Sequence, residues 1–169
     1  TVWIKKSTDS SMVVYAWGIR GDKAIPGDFD GDGKMDINVA RVVPATGEST
    51  AYILRSSDSQ LETKPIPYPL AFIVPGDYDG DGKTDIATIK SSINDMLWTI
   101  IRSSDDVTEN IRCGVFSSDY QVAGDYNGDG KTDLAIWRKT GTGPGNPASF
   151  WIRQPDGSYM VVPFGNGLD

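Results

Sequence analysis

Three times along the chain an acidic stretch runs into a short segment with large apolar side chains mostly at alternate positions: Asp36-Ile37-Asn38-Val39-Ala40, Asp85-Ile86-Ala87-Thr88-Ile89 and Asp133-Leu134-Ala135-Ile136-Trp137. Alternation with small residues in between is the pattern of a strand with one tightly packed face. A second apolar element recurs as Trp3-Ile4-Lys5-Lys6-Ser7-Thr8-Asp9, Tyr52-Ile53-Leu54-Arg55-Ser56-Ser57-Asp58, Thr99-Ile100-Ile101-Arg102-Ser103-Ser104-Asp105 and the shorter Trp151-Ile152-Arg153-Gln154-Pro155-Asp156. Its Ser-Ser-Asp or Pro155-Asp156-Gly157 ending is turn chemistry that leads into a further strand such as Tyr159 to Phe164. No window has the period of an amphipathic helix.

The first aspartates of the acidic stretches, Asp28, Asp77 and Asp125, lie 49 and 48 residues apart, and the aromatic element keeps the same period. Two motifs in register at one period define a structural repeat. Each repeat holds about four short strands: one entering the acidic loop, one leaving it, the aromatic strand, and a last one ending near Trp17, Tyr68, Phe116 or Phe164. A four-stranded unit repeated in this way is a β-propeller blade. The expectation is an all-β chain of three four-stranded antiparallel blades, residues 22–70, 71–118 and 119–169, after a half-blade at residues 1–21. Connections at Val43 to Thr50, Ser91 to Asp95 and Lys139 to Ser149 read as surface loops. About four to eight blades close a propeller. The chain is therefore expected to be either part of a longer propeller, the preferred reading, or a homo-oligomer that completes the ring.

Each acidic loop offers side-chain oxygen at its first, third, fifth and ninth positions: Asp28, Asp30, Asp32, Asp36; Asp77, Asp79, Asp81, Asp85; Asp125, Asn127, Asp129, Asp133. Glycines at the fourth and sixth positions permit the curvature that turns alternate side chains toward one point. Two carboxylates about 4 Å apart repel by roughly 4 kcal/mol at an effective dielectric of 20, so such convergence calls for a cation. Hard oxygen donors without His or thiolate select Ca2+, with the backbone carbonyls of Lys34, Lys83 and Lys131 completing three shells. This is not an EF-hand: position 12 is Val39, Thr88 or Ile136 rather than Glu, and strands flank the loop.

Composition narrows the field. The 169 residues carry 16 basic and 23 acidic side chains, a net charge of -7, which disfavours nucleic acid as a partner. Eleven of the acidic residues lie in the loops, and three bound Ca2+ would bring the charge to -1. There is no histidine, so imidazole acid-base chemistry and Ser-His triads are excluded. The one cysteine, Cys113, reads as a small hydrophobe, and no apolar stretch approaches the roughly 20 residues that insert in a bilayer.

The Gly-Asp-Phe/Tyr-Asp/Asn-Gly-Asp-Gly-Lys-x-Asp loops and the strands after them resemble the FG-GAP/VCBS repeat family over nearly the whole chain; Asn127 and Ala123 depart from the other copies. The resemblance implies a calcium-bearing propeller, secreted or at the cell surface, used mainly for binding or adhesion. The expected function is a non-catalytic module for a glycan or protein ligand. Alternatives are an auxiliary or catalytic part of a secreted polysaccharide-active enzyme, or a purely structural segment. Trp3, Tyr52 and Trp151 read as packing between blades, and Trp137 as core. Arg20-Gly21-Asp22 spells an integrin-recognition tripeptide, but its Asp belongs to the repeat, while Arg41, Lys90 and Arg138 are expected to balance the acidic rim.

Overall fold

The computed structural model describes residues 1–67, 72–141 and 145–166. The boundary positions 70, 71 and 169 and the strand end expected near Tyr68 lie outside that set. No described residue is helical. Contacts divide the chain into two units, residues 1–70 and 71–169, each taken by itself below.

The first unit begins with an antiparallel pair, β1 (Val2–Lys5) and β2 (Met12–Tyr15). A four-stranded sheet follows in the order β3 (Lys23–Ala24), β4 (Ile37–Val42), β5 (Ser49–Leu54) and β6 (Leu61–Ile66). The second unit holds two more sheets of the same design: β7 (Phe72–Ile73), β8 (Ile86–Ser92), β9 (Asp95–Ile101) and β10 (Thr108–Val115), then β11 (Asp119–Gln121), β12 (Ala135–Lys139), β13 (Pro147–Arg153) and β14 (Tyr159–Asn166). Every pairing is antiparallel between chain neighbours, which gives the blade-like four-stranded sheets and the leading strand pair expected from the repeat.

One turn recurs between the third and fourth strands of each repeat. Asp9, Asp58, Asp105 and Asp156 each accept, through Oδ1, the amide of the residue two positions on, at 2.9, 2.9, 3.0 and 2.9 Å. The next residue is left-handed: Ser10, Ser59 and Asp106 have φ near +60°, and Gly157 takes the same place in the fourth copy. The repeated Asp of the aromatic element is thus a turn builder. The expected loop at Ser91 to Asp95 is tighter than an irregular connection: Ser92 pairs with Asp95, leaving only Ile93 and Asn94 at the tip.

The core of the second unit lies between its two sheets. Ala87, Ile89, Met96, Trp98, Ile100 and Cys113 of one sheet meet Leu134 and Ile136 of the other, with Val74, Phe116 and Trp151 packed at the edge. Trp98 is wholly buried and its indole N–H donates to Cys113 O at 2.8 Å. Cys113 is the small buried hydrophobe expected.

Arg41 and Arg138 do not balance the acidic loops. Arg41 makes a two-pronged ion pair with Asp22, at 2.9 and 2.8 Å, and Arg138 makes the same pair with Asp119, at 2.8 and 2.6 Å. Each guanidinium also lies over the aromatic ring of its own sheet, Tyr52 or Trp151. The period aligns Asp22 and Asp119 as strand-entry residues, and the distance along the chain hid the partner. Asp22 also accepts the Ile19 amide and its side chain is only 4% exposed, so Arg20-Gly21-Asp22 presents no free carboxylate.

Candidate metal centres

Each acidic loop is closed at its base by a bridge between Gly27 and Asp36, Gly76 and Asp85, or Gly124 and Asp133. The ninth-position amide donates across that bridge at 2.8 Å in all three. The first aspartate then folds the loop around itself: Asp28 accepts from the amides of Gly31, Asp32 and Gly33, Asp77 from those of Gly80, Asp81 and Gly82, and Asp125 from those of Gly128 and Gly130. The glycines at the fourth and sixth positions all have φ between 79° and 86°, a conformation that costs other residues about 1–2 kcal/mol each.

The loops differ in what they bring together. In the first, Asp28, Asp30 and Asp36 place carboxylate oxygens within 4.8 Å of one another; in the second, Asp77, Asp79 and Asp85 do the same. Both groups could hold a metal ion. The fifth-position carboxylates stand outside the groups and bind protein instead: Asp32 takes the Lys34 amide, the Lys34 ammonium and Ser56 Oγ, and Asp81 takes the Lys83 amide and Ser103 Oγ. In the third loop the corresponding residues are Asp125, Asn127 and Asp133, so an amide takes the place of the second carboxylate. Asn127 there bonds Asp129 twice, donating from Nδ2 and accepting the Asp129 amide. Lys131 lays its stem against Gly80 of the second loop, where an added Cβ would come within 2.9 Å of Lys131 Cε.

A second set of residues, missed in the sequence, supports the first two groups. The Ser-Ser pair at the next hairpin tip reaches over the loop: Ser56 N–H donates to Asp36 Oδ1 at 2.7 Å and Ser57 Oγ–H to Asp30 Oδ2 at 2.7 Å. In the second repeat, Ser103 N–H donates to Asp85 Oδ1 at 2.6 Å, while Ser104 Oγ–H bonds Asp79 Oδ2. The sequence pattern marks these four serines as turn formers. Their in-register repetition with the loops was the signal that they also serve the carboxylates. The third repeat has Gln154-Pro155 at this place and no such clamp among the described residues.

Asp36 and Asp85 are 4% and 1% exposed. Burial pushes the pKa of both above the ordinary carboxylate value, against hydrogen bonds from the Ser56 and Phe29 amides to Asp36 and from the Ser103 and Tyr78 amides to Asp85. A buried carboxyl held beside two more carboxylates concentrates negative charge, which the charges of Arg55 near Asp30 and Arg102 near Asp79 offset only in part. The donor set is all hard oxygen, it is preformed, and it lacks positive charge; it fits a hard cation.

Residues 28–88 match the family model of the FG-GAP-like repeat, and this stretch is FG-GAP-like repeat sequence. It runs from the first aspartate of one carboxylate group to just beyond the last aspartate of the other. No curated protein matches the chain. Among the described residues no helix is long and apolar enough to cross a membrane.

Proposed function

We propose that this carrier of FG-GAP-like repeats is a calcium-stabilised β-propeller module that binds a glycan or protein partner outside the cell and has no catalytic role. The observation that carries the metal assignment is the pair of preformed groups, Asp28-Asp30-Asp36 and Asp77-Asp79-Asp85, each built on a buried carboxyl with a raised pKa. Ca2+ would supply the compensating charge. Asp32 and Asp81, and the carbonyls of Lys34 and Lys83, are the further oxygens within the same loops. The third site, with Asp125, Asn127, Asp129, Asp133 and the Lys131 carbonyl, is assigned a weaker affinity: it has one charge fewer and lacks the serine clamp.

A binding role is supported by the contrast between repeated sheet elements and unequal connections such as Val43 to Thr50. A secreted or cell-surface setting is supported by the repeat type. Calcium-loaded protein on glycan and protein arrays should retain a ligand and release it on chelation. Turnover of a polysaccharide by the same preparation would replace this proposal with the enzyme alternative.

The clamp yields its own expectation. A hydrogen bond to a charged group contributes about 1.5–3 kcal/mol, so Ser104→Ala should weaken calcium at the second loop by roughly tenfold or more. Terbium luminescence, which reads the loops individually in single-site variants, should rank the second loop above the third. A Ser104→Ala protein with unchanged affinity would show that the clamp is only a turn.

A further inference from the structure

The second unit shows how two of these sheets join. On one face of its first sheet, Phe72, Ile89, Trp98 and Ile111 form a row across the four strands. The adjoining sheet covers that face with Leu134, Ile136 and Trp151, and Ile89 and Trp98 become fully buried. Trp151 sits in register with Ile136 on one side and Val161 on the other. The joint is therefore heterologous: a face of one kind receives a face of another.

Among the described residues, a further face of each kind is exposed. On β11–β14 the row corresponding to the receiving face is Tyr120, Trp137, Phe150 and Val162. Tyr120 is 55% exposed and Val162 41%, and Phe164 beside them 71%. Val122, Trp137, Phe150, Phe164 and Gly165 line an apolar groove of about 360 Å³ there. Trp137, expected to be core, is instead half-buried in this groove, with its N–H directed to Phe164 O at 3.3 Å. On β1–β2 the inserting face is present: Trp3 pairs with Val14 as Trp151 pairs with Val161. Trp3 is 67% exposed, Val14 48% and Met12 54%.

We propose that these two faces are mates, and that the β1–β2 face of one copy docks on the Trp137 and Phe150 groove of a second copy. The joint continues between chains the interface that already exists between two sheets within the chain. Ile89 and Trp98 are fully buried where a neighbouring sheet is present, whereas the corresponding Trp137 and Phe150 are only partly buried where it is absent, and apolar faces are rarely left open to water. Because the two faces differ, association is head-to-tail, growing into a ring or a filament according to the angle between successive copies.

Sedimentation velocity of the calcium-loaded chain should show species larger than the monomer that increase with concentration. Phe164→Lys and Trp3→Lys alter the most exposed side chain on each face and should each weaken self-association by about thirtyfold, the effect of losing a hot-spot anchor worth about 2 kcal/mol. Tyr120→Lys and Val14→Lys repeat the test at a second position on each face, and circular dichroism verifies the fold of all four. Mixed together, Phe164→Lys and Trp3→Lys proteins retain one good face each and should form a 1:1 dimer that grows no further. A wild-type chain that is monomeric throughout would overturn the proposal and leave these faces to another chain or to a sugar. Self-association that survives either substitution, or a mixture that stays monomeric, would overturn the head-to-tail geometry.

Discussion

Removing calcium should lower the melting temperature by about 10–20 °C. A ligand that binds only the folded state contributes about 2.7 kcal/mol at a hundredfold excess over its dissociation constant, so two such sites contribute about 5 kcal/mol. For a chain of this size each kcal/mol moves the midpoint by about 2–4 °C. The two groups at Asp28-Asp30-Asp36 and Asp77-Asp79-Asp85 are the source of that effect. Asp85→Ala should remove about half of it, since it deletes a group member and the acceptor of the Ser103 and Tyr78 amides. The pH dependence has opposite signs with and without metal. In the metal-free fold Asp36 and Asp85 have raised pKa values, so the metal-free protein should gain stability as pH falls from neutral through those values toward the unfolded value of about 3.9. With calcium present, protons compete with the cation and acidification costs stability. Melting curves with and without EDTA should therefore converge as pH falls below about 5. Parallel curves across that range would place the stabilising ion somewhere other than on these carboxylates.

The second large effect is independent of metal. Asp119→Ala should cost about 3 kcal/mol, equally in calcium and in EDTA. The carboxylate side chain is fully buried, while the Arg138 guanidinium it pairs with is 30% exposed and lies over Trp151. Removing one partner of a buried pair costs about 3–5 kcal/mol, and partial exposure of the arginine puts this case at the lower end. Burial alone would raise the Asp119 pKa, but Arg138 and the Val115 amide hold it below the ordinary value. Its contribution is therefore present above the unfolded pKa of about 3.9 and is lost as pH falls through the folded value. Asp22, held down by Arg41, follows the same direction. Denaturant midpoints for Asp119→Ala measured with and without calcium check this; a cost that disappears in EDTA would tie the pair to the metal loops.

What was legible in the sequence was whatever the repeat states locally. The alternation in Asp85-Ile86-Ala87-Thr88-Ile89, the turn residue Asp105 and the Gly80 and Gly82 positions each act through neighbours within a few residues, so strands, turns and loop curvature follow from pattern alone. The non-local partners were less legible. Arg41 lies 19 residues from Asp22 and Ser104 lies 25 from Asp79, and only the folded sheet decides that the first pair meets and that the second closes over a loop. Trp137 shows the same limit: its strand position is plain, but whether that position is core depends on a neighbouring sheet. The third acidic loop has nearly the residue pattern of the others, but Asn127 stands where Asp30 and Asp79 complete the carboxylate groups, and Gln154-Pro155 stands where the serines close over them.

Calcium titration of the metal-stripped chain by isothermal calorimetry tests the central claim most directly. Two sites should fill first and a weaker third afterwards, with Asp36→Asn and Asp85→Asn each removing one of the first two and leaving the third unchanged. Three equivalent sites, or two early sites that survive both substitutions, would contradict it.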